Sequence, residues 1–179
     1  MHNMHLALNL RKKGIFPVAF CNGGNTGNIS LITTDKNQKI HVLGWDTGPF
    51  NHFADMLTLR EKGEPYDKDG KYGAQGNLNE KLLRLLFERA AVTESGTNYL
   101  LQPPPKSSDP AWYRVLPEMT DKSIPFCDRV RTVEFFSAYA FVYNLKYIPA
   151  DFEKSSYFLT FGGGWNNPIV RKDFEMLLH

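Results

Sequence analysis

Three glycine-rich turns, each directly behind a strand-like run, constrain this chain more than any other feature. They are Asn22-Gly23-Gly24-Asn25-Thr26-Gly27-Asn28, Gly44-Trp45-Asp46-Thr47-Gly48-Pro49 and Gly162-Gly163-Gly164-Trp165-Asn166-Asn167-Pro168. Glycine adopts positive φ and lets the backbone come close to a ligand, so amides at such turns can converge on an anion. The third turn also runs into a predicted helix, where unpaired N–H groups and the helix dipole favour phosphate. None of the three matches a P-loop or a G-x-G-x-x-G pattern. One of them alone reads as a plain turn; three on one small domain shift the reading toward a ligand site.

The rest of the chain supplies the layers around those turns. Residues 1–14 read as a helical lead-in ending at a C-cap glycine, Gly14. Runs 16–21, 28–33 and 39–44 are short, β-branched or aromatic, and bounded by turn residues, which predicts an antiparallel three-stranded meander. Helical spacing follows over 51–62, with Phe53, Met56, Leu57 and Arg60 on one face and Gly63 as the stop. Segment 66–76 reads as a polar loop, and 79–91 as a helix capped by Asn77 or Asn79. The prolines in 102–110 require a rigid, extended connection. Residues 128–147 form the longest helix candidate, 157–161 a strand, and 168–178 a closing helix with Pro168 near its first turn. Strands at both ends of a helical middle indicate α/β layering.

Composition narrows the partners. At about 150 residues per domain, 179 residues are one domain or a domain with a modest extension. Such a chain buries roughly 70% of its unfolded surface and needs no disulfide or metal staple. Lys+Arg 21 against Asp+Glu 19 leaves no basic excess for nucleic acid or an anionic membrane. Cys21 and Cys127 sit in no zinc or disulfide pattern. No apolar signal region opens the chain, and the apolar stretch 135–145 is too short to span a bilayer, so a cytoplasmic location is expected.

Among single residues, Asp46 stands out because it follows a strand on a constrained Thr-Gly-Pro turn. A carboxylate there suits Mg²⁺ or a sugar hydroxyl, or equally an Asx turn capping the next helix. Asp67 and Asp69 mimic the start of a calcium loop, but the remaining ligands are missing, so a solvated loop is expected. The five histidines show no ligand spacing, and Lys106 behind three prolines is a positioned cation.

Taken in order, these segments resemble the anhydro-N-acetylmuramic acid kinase family, a branch of the sugar kinase/Hsp70/actin superfamily that includes levoglucosan kinase. Asn22-Gly23-Gly24 through Asn28-Ile29-Ser30-Leu31 resembles the family's second phosphate-binding hairpin. Asp46-Thr47-Gly48-Pro49 with Asn51 resembles its F-D-T-G-P-G-N segment. Tyr66-Asp67-Lys68-Asp69-Gly70 and Pro103-Pro104-Pro105-Lys106-Ser107 resemble Y-D-x-[DN]-G and P-P-K-S. Gly162 to Pro168 resembles the adenosine loop, G-G-G-x-x-N-P.

The resemblance implies a ribonuclease H-like, actin-like ATPase lobe: a mixed sheet that begins with the antiparallel meander, with helices packed on it. Residues 15–179 would be an incomplete C-terminal, nucleotide-binding lobe. It implies ATP and Mg²⁺ as cofactors and a 1,6-anhydro sugar as substrate, anhydro-N-acetylmuramic acid or, alternatively, levoglucosan. Asn22, Gly23, Gly24 and Asn28 would serve the phosphates, and Gly162, Gly163, Gly164, Asn166 and Asn167 the adenosine. Asp46, Thr47, Gly48 and Asn51 would line the sugar- or Mg-proximal cleft.

Several features depart from the family pattern. The hairpin has one extra residue, with Asn25 and Thr26 where an apolar side chain would pack. Phe50 replaces a glycine, placing a large side chain where backbone would approach the ligand, and Ser108-Asp109-Pro110 replaces T-G-R-E. The first-lobe G-T-S-x-D-G loop and the general-base aspartate are expected outside this sequence. The chain alone is then expected to be inactive, to act with a separately encoded first lobe or as a homodimer through an exposed apolar patch, or to persist as a non-catalytic binding or interaction module.

Overall fold

The computed structural model describes residues 2–179. Helix α1 (His2–Arg11) closes through Gly14, whose φ of 76° is the left-handed C-terminal stop expected of glycine. Three antiparallel strands follow, β1 (Val18–Gly23), β2 (Thr26–Thr34) and β3 (Ile40–Pro49). Strand β4 (Tyr157–Phe161) joins β1 in parallel, pairing Val18 with Tyr157, so the sheet is mixed with order β3-β2-β1-β4.

The helices start and stop where local chemistry dictates. Helix α2 (His52–Lys62) ends at Gly63, whose N–H donates to Leu59 O at 3.0 Å with φ 69°. Asn79 caps α3 (Glu80–Arg89) by accepting from Leu82 N–H at 2.9 Å. A four-residue helix, α4 (Pro117–Thr120), lies in the stretch the sequence left unassigned. Helix α5 (Phe126–Asn144) is apolar on more than one side, and the structure uses both. Val130, Val133, Phe136 and Ala140 enter a cluster with α2 and α3 residues such as Leu57, Leu82 and Leu86. Ala138 and Phe141 enter a second cluster with Cys21, Ile29 and Trp45 from the sheet. Helix α6 (Pro168–Leu178) packs Val170 and Phe174 into that second cluster.

Three expectations change. Segment 44–49 is not a turn but the end of β3, because Gly48 pairs with Gly27 and Thr26 with Pro49 in the ladder. At Gly48, φ is 123° and a Cβ would come 2.9 Å from Leu100, so glycine admits close packing rather than a chain reversal. The α2 face is rotated: Phe53, Ala54, Leu57 and Thr58 are buried while Arg60 is exposed. Thr58 is tolerated inside because its hydroxyl donates to Ala54 O at 2.8 Å. Loop 66–76 is anchored rather than solvated, since Asp67 is only 5% exposed. Its carboxylate accepts from the N–H of Tyr72 at 3.0 Å and of Gly73 at 2.9 Å.

Candidate functional site

The three glycine-rich segments meet. The β1–β2 hairpin tip is pinned to the start of α2, with Asn51 N–H donating to Gly24 O at 3.1 Å and Phe50 N–H to Asn25 O at 3.0 Å. Gly162 sits against the end of β1: φ is 92°, and a Cβ there would lie 2.6 Å from Gly23 O. The 3₁₀ turn Gly163–Asn166 then leads into α6, whose first amides, Ile169 N–H at 2.9 Å and Val170 N–H at 3.4 Å, donate to Asn167 Oδ1. Between this turn, α2 and α5 lies a cavity of about 400 Å³. Asn51, Gly163, Gly164, Asn166 and Asn167 all line it. At Gly163 a Cβ would meet nothing within 4 Å, so that backbone borders open space.

Other sequence-proposed residues gather elsewhere. Asn22 pairs with Asn28, and Asn28 with Asp46, so the three form one cross-strand row at the hairpin end of the sheet. Neighbours one position along, Cys21, Ile29 and Trp45, are buried against α5, which places the polar row on the opposite face. The hairpin therefore joins two regions: the polar row on one sheet face and the cavity on the other. Thr47 and Gly48 are buried in the fold, and Thr47 O accepts from Asn144 Nδ2 at 3.1 Å.

Asp46 does not cap α2. Its Oδ2 accepts from Ser108 N–H at 2.8 Å, Ser107 Oγ at 3.2 Å and Ser108 Oγ at 3.3 Å, and Tyr99 hydroxyl donates to its backbone oxygen at 2.8 Å. The proline-rich segment is thereby strapped across the end of β3. Lys106 in that strap donates to Tyr99 O at 3.2 Å and lies over the rings of Tyr99 and Tyr147 at 4.7 and 4.9 Å. Burial, and secondarily Lys146, push its amine down to about 8.

Phe50 lines the cavity from within the core. It is 1% exposed and packs on Trp165, centroids 4.8 Å apart, and edge-on to Phe141 at 6.2 Å. Asn25 and Thr26 find polar partners instead of an apolar packing site: Asn25 Oδ1 lies 3.1 Å from His52 Nδ1, and Thr26 Oγ1 lies 3.0 Å from Tyr113 hydroxyl.

Sequence reasoning missed the acidic side of the cavity. Glu134, from the middle of α5, is 1% exposed; its Oε1 accepts from Asn167 Nδ2 at 2.6 Å. Its Oε2 is buried with no hydrogen-bond partner among the described residues. Burial, then the charge of Asp67, hold this carboxyl well above the usual carboxylate range. Burial also pushes Asp55, on the α2 wall, up to about 6. A mid-helix glutamate between apolar neighbours carries no motif, so only the packing identifies it. The cavity thus combines one neutral acid, Glu134, with the titratable Asp55 and the side chains of Asn51 and Asn166.

The sequence pattern of the family described as Anhydro-N-acetylmuramic acid kinase matches residues 4–179. A protein named Anhydro-N-acetylmuramic acid kinase from Rhizorhabdus wittichii is 29% identical over 168 residues, 94% of this chain and 41% of its own length. The protein of that name from Clostridioides difficile is 32% identical over 166 residues, 90% of this chain and 41% of its length. The chain thus spans about 41% of the length of these curated relatives. Among solved structures, ligand-bound xylulose kinase from Lactobacillus acidophilus matches with a TM-score of 0.53 at 12% identity, over 88% of this chain and 33% of that one. That likeness bears on the fold alone.

Proposed function

The chain belongs to the anhydro-N-acetylmuramic acid kinase family, and we propose that it is the nucleotide-binding lobe of an ATP-dependent kinase acting on a 1,6-anhydro sugar. The observation that carries this reading is the junction of the 22–28 hairpin with the start of α2 and with Gly162, beside a cavity lined by Asn51 and the 163–167 turn. Nucleoside in the acidic cavity and phosphates along the hairpin amides toward Asn22 and Asn28 match ligand polarity to each region.

In the proposed reaction, water oxygen bonds to the anomeric carbon, the bond from that carbon to O6 breaks, and O6 bonds to the γ-phosphorus of ATP as its bond to the β–γ bridging oxygen breaks and ADP leaves. The proton released by the water goes to a base. Protein groups position the phosphates and hold that proton acceptor. In this lobe Asp46 presents a half-buried carboxylate whose Oδ1 takes no hydrogen bond from the described residues, suited to orienting a sugar hydroxyl or the water. Mg²⁺ would neutralise phosphate charge. Among the described residues no group of three or more His, Cys, Asp and Glu side chains could hold it, so it would enter on the nucleotide, beside Asp46 and Asn28.

Calorimetric titration of Mg·ATP into the chain tests the reading. Saturable binding that Gly163→Val and Asn166→Ala each abolish is expected. No binding, even with the first lobe of a related kinase added, would favour a non-catalytic interaction module.

A further inference from the structure

A hydrogen-bond chain links Asp46 to the phosphate hairpin through residues that the family resemblance does not assign. Ser108 Oγ lies 3.3 Å from Asp46 Oδ2, Tyr113 hydroxyl 2.6 Å from Ser108 Oγ, and Thr26 Oγ1 3.0 Å from Tyr113 hydroxyl. Tyr113 is 6% exposed, and His52 and Phe53 pack against its ring at centroid distances of 5.3 and 6.4 Å. Solvent therefore has little access to the middle of the chain.

Each hydroxyl has one proton, and an ionised carboxylate only accepts. When Ser108 donates to Asp46, it must accept from Tyr113, and Tyr113 must accept from Thr26. Every proton then runs toward Asp46, and Thr26 has none left for a ligand. A phosphate oxygen on the hairpin that draws the Thr26 proton reverses the series. Tyr113 then turns to donate to Thr26, Ser108 to Tyr113, and Asp46 loses the Ser108 hydroxyl while keeping the Ser108 amide at 2.8 Å and the Ser107 hydroxyl at 3.2 Å. Only O–H rotors turn, so the two states differ by no heavy-atom movement.

We propose that Tyr113 is a positioning residue through which phosphate on the hairpin releases one hydrogen bond from Asp46, freeing that carboxylate for the sugar side. The proposal rests on the reading that the hairpin takes phosphate and Asp46 faces the sugar.

Carboxyl-¹³C and amide NMR of the full chain during titration with Mg·ATP provides the test. In the wild type, the Gly24 and Asn25 amides and the Asp46 carboxyl carbon should all shift. In Tyr113→Phe the hairpin amides should still shift while Asp46 stays still. Thr26→Val should behave like Tyr113→Phe, and Thr26→Ser, which keeps the hydroxyl, like the wild type. In a kinase assembled with a first lobe, Tyr113→Phe should lower kcat roughly tenfold, the scale of one hydrogen bond to a charged group, with little change in KM for ATP. An Asp46 carbon that is silent in the wild type, or that shifts equally in Tyr113→Phe, overturns the coupling and leaves the hairpin reading standing. Hairpin amides that do not respond overturn both.

Discussion

The Asn167 side chain ties Glu134 to the start of α6: Nδ2 donates to Glu134 Oε1 at 2.6 Å while Oδ1 accepts from Ile169 N–H at 2.9 Å. One amide thus caps a helix and satisfies half of a buried carboxyl, at the wall of the cavity. Replacing it with alanine removes a cap worth about 1 kcal/mol and strands a buried acceptor worth about 1–3 kcal/mol. Asn167→Ala should therefore lose about 2–4 kcal/mol in urea denaturation, and a loss below about 0.5 kcal/mol would show that the link carries no stability.

Glu134 makes stability depend on pH with a defined sign. Its folded carboxyl titrates well above 4.5, by burial first and the Asp67 charge second. The folded chain keeps this proton while the unfolded chain releases it, so the stabilising contribution is complete below about pH 4.5 and is lost as pH rises through the folded value. Asp55, held up to about 6 by burial, acts in the same direction over a lower window. The melting temperature should fall as pH rises above about 4.5, and Glu134→Gln should flatten that fall. An identical slope in the variant would contradict a neutral Glu134.

Lys106 should be the unusually nucleophilic lysine of this chain. With its amine brought down to about 8 by burial, then by Lys146, a substantial neutral fraction exists at mildly alkaline pH. Its linkage has the opposite sign to that of Glu134: the unfolded lysine holds its proton longer, so this contribution to stability grows as pH rises from about 8 toward about 10.5. Competitive acetylation read by mass spectrometry should label Lys106 ahead of exposed lysines at equal reagent access. Lys146→Met should move its titration upward.

Gly162 tests the junction between the hairpin and the cavity turn. At φ 92°, with a Cβ 2.6 Å from Gly23 O and 2.9 Å from Asn22 Oδ1, an alanine meets both backbone strain and a backbone oxygen. Gly162→Ala should destabilise by about 2 kcal/mol or more, whereas Gly163→Ala, with open space at its Cβ, should be close to neutral. Equal effects in chemical denaturation would mean that the turn relaxes away from β1.

What was legible in the sequence was whatever is local. Alternating apolar runs with glycine and asparagine between them marked the β1–β2–β3 meander, and β4 and α6 begin and end at the predicted residues, 157–161 and 168–178. Gly63, Asn79 and Pro168 punctuate helices by their own backbone and side-chain chemistry, which needs no distant partner. The ordered motifs carried the family for the same reason, since a short motif is a local property.

Tertiary structure decided whatever depends on contacts between distant segments. Only the ladder with β2 turned 44–49 from a turn into strand, and only packing against Trp165 and Phe141 buried Phe50 in the core at the wall of the cavity. Glu134 became part of the cavity because α5 passes behind Asn167, and Tyr113 became a link because the strap it follows folds over β3 onto Thr26. These roles rest on desolvation and on hydrogen bonds between residues far apart in the chain. Such contacts exist only after the chain has closed its loops, so no local pattern of residue types records them.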